Sequence, residues 1–139
     1  MTKWVKTKFD SEIKSFTTIA NKIVYNVTQQ DIKTKLVEQM LEDFKKKYNT
    51  KAIQDLKPNT WKSLQGTESW LPDTMVKIEK HLKGNDVQKL HQVIVDILSQ
   101  KPVNTPIIMM QNNIGMLISG EHTLMACKLL NIQPKVVMF

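Results

Sequence analysis

Residues 106–138 read Pro-Ile-Ile-Met-Met-Gln-Asn-Asn-Ile-Gly-Met-Leu-Ile-Ser-Gly-Glu-His-Thr-Leu-Met-Ala-Cys-Lys-Leu-Leu-Asn-Ile-Gln-Pro-Lys-Val-Val-Met, and they carry most of what the chain says about itself. Ile107 to Met110 has the β-branched, apolar start of a strand, and Gln111-Asn112-Asn113-Ile114-Gly115 has the composition of a hairpin turn. Met116 to Ser119 is then the returning strand. Gly120 breaks the pattern, Glu121 to Leu130 reads as a helix, and Pro134 to Phe139 as a closing strand. A hairpin followed by a helix and one more strand makes this half α+β.

Upstream, Val87, Leu90, Val93, Ile94, Ile97 and Leu98 form an amphipathic helical stripe, and Pro102 and Pro106 punctuate a loop. Met75-Val76-Lys77-Ile78 reads as a short strand or an irregular lead-in, and Gly84-Asn85 as a turn. Between Asn49 and Pro72 turn formers alternate with Trp61 and Trp70, which predicts a connector with short helical pieces. Tryptophans there serve either to pack the connector onto a core, the reading their apolar area favours, or to stack bases.

The N-terminal part is helical by periodicity. Ile13, Phe16, Ala20, Ile23, Val24 and Val27 recur at three- and four-residue spacing after Phe9, with Asp10 or Ser11 as the expected cap. Thr28, followed three residues later by Asp31, opens a second segment whose stripe is Ile32, Leu36, Val37, Met40, Leu41, Phe44 and Tyr48. The two make a helical hairpin. The expected organisation is a basic helical extension, residues 1–70, packed on a small mixed-sheet domain, residues 71–139.

The chain has 139 residues, room for one core. Its longest apolar runs fall far short of the roughly 20 residues that span a bilayer, and the N-terminus lacks a signal-peptide h-region. No membrane association and a cytoplasmic location are therefore expected. One cysteine, Cys127, excludes an internal disulfide and a Cys-rich metal site, and His81, His91 and His122 are not at close ligand spacing, so no metal site is expected. The formal charge is +7, and every one of the 20 basic residues is Lys. An Arg-free chain lacks the rigid bidentate fork suited to phosphate and guanine edges. Residues 1–60 hold 12 Lys against 7 acids, a bias that permits salt-sensitive attraction to nucleic acid and equally suits a solvated basic surface. Lys33, Lys45, Lys46 and Lys47 are the candidate contacts to a nucleic-acid backbone, although the run at 45–47 also complements a helix C-terminus.

Ser119-Gly120-Glu121-His122-Thr123 sits where a strand passes into a helix. Glycine lets the backbone approach a ligand, and a helix N-terminus directs free N–H groups and the positive end of the helix dipole at it. Ser119, Gly120, His122 and Thr123 are thus candidate phosphate-binding residues. A carboxylate at 121 also suits the helix dipole by itself.

The order Pro-Ile strand, turn, apolar strand, Gly120, Glu121, His122, helix with Ala126 and short strand resembles the ParB/sulfiredoxin-like superfamily over residues 71–139. The resemblance implies nucleotide phosphates at the Gly-x-His turn, with Mg as a possible companion. It also implies Glu121 and His122 as catalytic residues of an enzyme: a metal-dependent nuclease, nucleotide hydrolase or kinase. Thr123 stands where the superfamily has Arg, so a charge-assisted hydrogen bond worth about 1.5–3 kcal/mol is lost there. Lys128, five residues on, lies about 140° round a helix of 3.6 residues per turn and is not expected to replace it. The expected closing strand ends the sequence, so the further domains of a chromosome-partition protein are not expected. An all-Lys chain of this size suits an accessory protein from an AT-rich genome, such as a bacteriophage's. Three functions follow: a nucleotide- or nucleic-acid-binding module, an enzyme of that superfamily, and a degenerate core serving as a protein-interaction or inhibitory module.

Overall fold

The computed structural model describes residues 1–64 and 85–139. Met75 to Ile78, Trp70, His81 and the turn at Gly84 lie outside them. The described elements run β1 (Lys3–Val5), a 3-10 turn (Phe9–Glu12), α1 (Ile13–Ile23), α2 (Gln30–Thr50), β2 (Gln54–Asp55) and α3 (Pro58–Ser63), followed by α4 (Asn85–Leu98), β3 (Pro102–Asn104), β4 (Ile107–Gln111), β5 (Ile114–Ser119), α5 (Glu121–Leu130) and β6 (Lys135–Met138). The fold is α+β, with a helical N-terminal part.

β4 and β5 form the expected hairpin, with Gln111 opposite Ile114. Asn112 and Asn113 make its two-residue loop at φ of +52° and +65°, the backbone that a primed turn requires and that Asn tolerates well. β6 pairs parallel to β4 and antiparallel to β2, so the mixed sheet has the order β2-β6-β4-β5.

Both faces of this sheet are covered, which is why β4 and β5 read as continuous apolar runs and not as alternation. Ile107, Met109, Ile118 and Val137 point toward the α1–α2 hairpin and join Phe9, Phe16, Phe44 and Tyr48 in one cluster. Ile108, Leu117 and Val136, each one residue out of step, point to the other face and meet Leu56, Leu64 and Leu124. Trp61 packs against this second cluster, in keeping with the structural reading of that connector. α5 in turn presents Met125 and Ala126 to Leu90 and Ile97 of α4 and to Val103 of β3.

The hairpin begins differently from its expected caps. Asp10 and Ser11 lie inside the 3-10 turn, and α1 follows from Glu12 without a side-chain cap. α2 starts at Gln30, two residues after Thr28, also without a side-chain cap. Packing of the apolar stripe therefore sets these ends. Residues 102–104, expected as loop, form β3, and it pairs parallel to β1, which periodicity does not reveal. Three-residue strands are too short to show a period, and Pro102 is tolerated at the first strand position. Within α4, Leu90 and Ile97 are buried while Val87 and Leu98, counted in the stripe, are exposed.

The extension and the C-terminal half share their cores. Phe16, Phe44 and Tyr48 surround Phe139, with ring centroids 6.1 to 6.4 Å away. The Tyr48 hydroxyl donates to the Thr7 carbonyl at 2.7 Å, and Lys6 lies over the Tyr48 ring while donating to the Tyr48 carbonyl. Burial raises the Tyr48 pKa; the Thr7 hydrogen bond acts against this and nearby Glu12 adds to it.

Candidate functional site

The end of β5 and the start of α5 are joined by Gly120 at φ +104°, a conformation that L side chains rarely adopt. A Cβ at this position would lie 2.5 Å from the Pro106 Cα, so the turn excludes any other residue by two independent means. Gly120 is the N-cap of α5: its carbonyl accepts from the Leu124 N–H at 3.1 Å, and it has no side chain with which to cap the helix. The first amides of α5 lie at this junction with the positive end of the dipole behind them.

The junction borders a cavity of about 370 Å³, the lower part of the range of small-ligand sites. Ser119, Gly120, Glu121, His122 and Thr123 line one side. The structure brings in six further residues: Glu12 from the 3-10 turn, Lys89, Gln92 and Val93 from α4, and Asn104 and Thr105 from β3 and its exit. Lys89 and Gln92 are three residues apart and share one face of α4. Thr105 is 2% exposed, and its Oγ1 is buried with no hydrogen-bond partner among the described residues, although its N–H donates to the Val5 carbonyl at 2.9 Å. A hydroxyl in that condition costs about 1–3 kcal/mol of stability.

Among the described residues the charges on the lining are one Lys and two carboxylates, Glu12 and Glu121, and His122 is a further titratable side chain bordering the cavity. Glu121 and His122 are half-buried and engaged with neighbouring groups. Thr123, which also lines the cavity, is 7% exposed. No group of three His, Cys, Asp or Glu among the described residues is close enough to hold a metal ion.

Of the residues singled out from the sequence, Ser119 through Thr123 converge on this cavity. Lys33, Lys45, Lys46 and Lys47 do not line it; they lie along α2. Successive helical residues are about 100° apart, so the three consecutive lysines fan over about 200° of the helix. Lys45 is 3.9 Å from the Asp10 carboxylate, and Lys47 borders an apolar crevice with Met40, Phe44 and Phe139. Lys128 turns the other way, with its Nζ 5.6 Å from the Trp61 ring centroid. Cys127 is fully buried and its thiol is pushed up to about 12 by desolvation, which makes it a core residue without nucleophilic character.

Lys89 and Gln92 were visible in the sequence only as polar positions opposite the α4 stripe. Glu12, Asn104 and Thr105 carried no signal, because they reach the cavity through the β1–β3 pairing and the 3-10 turn. Comparison with protein-family models, curated proteins and solved structures found no match to the chain. No helix among the described residues is long and apolar enough to cross a membrane.

Proposed function

We propose that this chain is a binding module for a phosphate-bearing ligand, and specifically for a nucleotide held at the start of α5. The observation that carries the reading is the convergence, in one cavity, of the N-terminus of α5, the buried Thr105 hydroxyl, which has no hydrogen-bond partner among the described residues, and Lys89. The α5 amides would take phosphate oxygens, Thr105 and Thr123 would donate hydroxyl hydrogen bonds, and Lys89 would supply the cation that Thr123 cannot. A nucleotide is favoured over a nucleic-acid strand because the lysines of α2 fan out instead of leading toward the cavity. Glu12 and Glu121 oppose a bare polyphosphate, so Mg²⁺ arriving with the ligand is expected to strengthen binding.

A thermal-shift series with ATP, CTP, GTP and single- and double-stranded DNA, each with and without Mg²⁺, tests this directly, since a ligand that binds only the native state raises the melting point by mass action. A nucleotide-specific shift that disappears in Lys89→Met and in Thr123→Ala is the expected result. No shift with any nucleotide would overturn the proposal and favour the protein-interaction reading.

An enzymatic reading draws on Glu121, which lines the cavity beside Glu12 and His122. In that case Glu121→Gln retains nucleotide binding and abolishes turnover measured by phosphate release.

A further inference from the structure

α5 is ten residues long, so its two ends are about 15 Å apart. At the end away from Gly120 a second cavity of about 400 Å³ lies between α3 and the connection from α5 to β6. Trp61 forms one wall. Its indole Nε1–H is buried and meets no acceptor among the described residues, a condition that native structures rarely leave uncompensated. Lys128 stands beside it, exposed, with its ammonium 5.6 Å over the indole ring. Such a contact at a solvated site is weak, and it leaves the ammonium free to turn toward an anion. The Lys45–Asp10 and Lys135–Asp55 ion pairs do not engage it.

The lining is unusual in its chemistry. Among the described residues it contains no Asp or Glu, and beside Cys127 and Asn131 its remaining walls, Leu56, Pro58, Ile132 and Pro134, are apolar. The Gln133 amide is already committed to the Leu56 carbonyl. What the described lining presents to a guest is therefore the Trp61 indole, an ammonium and a largely apolar surface. This set complements a flat apolar body that carries a negative oxygen group.

We propose that this cavity binds a small planar organic anion, with its ring against Trp61, an oxygen accepting from the Trp61 Nε1–H and its charge met by Lys128. The site is separate from the cavity at Gly120 and stands whether or not that one takes a nucleotide. A carboxylate and a phosphate monoester present the same oxygen chemistry here, and the test distinguishes them.

In ¹⁵N-labelled protein each tryptophan gives one indole N–H resonance; that of Trp61 is assigned with Trp61→Phe, or by elimination with Trp4→Phe and Trp70→Phe if the first variant does not fold. Titration with quinoline-2-carboxylate and with 1-naphthyl phosphate should move the Trp61 resonance saturably, and the tighter of the two identifies the head group. Binding should weaken at least tenfold with the neutral quinoline-2-carboxamide, and by a similar factor in Lys128→Met, which keeps the aliphatic stem. The absence of a saturable shift with either anion would overturn the proposal. So would an affinity indifferent to both the ligand's charge and Lys128→Met, which would mark plain apolar contact.

Discussion

Gly120 and Pro106 close the open end of the β4–β5 hairpin against each other, with so little room that a Cβ on residue 120 would lie 2.5 Å from the Pro106 Cα. The contact fixes where α5 starts and hence where the positive end of its dipole lies. Gly120→Ala combines this clash with a positive φ of 104°, and the loss expected is about 2–4 kcal/mol of stability. Urea unfolding checks it; a variant within about 0.5 kcal/mol of the parent would show that the turn relaxes freely.

Thr105→Val is expected to act in opposite directions on stability and binding. It replaces a buried hydroxyl that has no partner among the described residues by a methyl of the same shape, so the free protein should gain about 1–3 kcal/mol. If that hydroxyl awaits a ligand oxygen, nucleotide affinity should fall several-fold in the same variant. Calorimetric titration beside thermal unfolding reads both quantities, and a stabilised protein with unchanged affinity removes Thr105 from the site.

Phe16 stacks on Phe9 at 4.5 Å between centroids and touches Phe44, Tyr48 and Phe139, so it ties the first helix to the last residue. Phe16→Ala should cost about 3–5 kcal/mol. Because the cluster is shared, amides of α1 and of β4 should lose hydrogen-exchange protection together. Loss confined to α1 would show that the hairpin unfolds on its own.

Alkaline stability follows from Cys127. Its thiol is raised from 9.0 to about 12 in the folded protein, so between these values the unfolded chain releases a proton that the native state retains. Stability from this group is complete below pH 9 and falls as pH rises toward 12, by at most about 1.4 kcal/mol per pH unit. Tyr48, also raised, adds to the loss above its ordinary value of 10.0. Urea midpoints of the parent and Cys127→Ala at pH 7, 9 and 10.5 test the sign: the parent should lose more than the variant. Equal losses would assign the alkaline effect to other groups.

The local code for the C-terminal half is dense. Two asparagines at the hairpin tip, a glycine at the strand-to-helix junction, an asparagine at the end of α5 with φ of +55° and a proline before β6 each mark a boundary by backbone preference alone. The two helical stripes of the extension are legible for the same reason, because a face that must be buried repeats with the helical period. The class α+β, the hairpin, the extent of α5 and the Gly120 turn were all determined in this way.

Periodicity stops at elements of two or three residues. β1, β2 and β3 exist because tertiary packing brings their backbones within hydrogen-bonding reach, not because their side chains prefer a strand. The same holds for the cavities. Glu12 and Gly120 are more than a hundred positions apart, and Lys89 stands on a helix whose polar side gives no sign of which polar residue faces a site. Sequence determined the turn that presents a helix end; the tertiary structure alone decided which side chains surround it, since burial and charge placement depend on neighbours that only folding supplies.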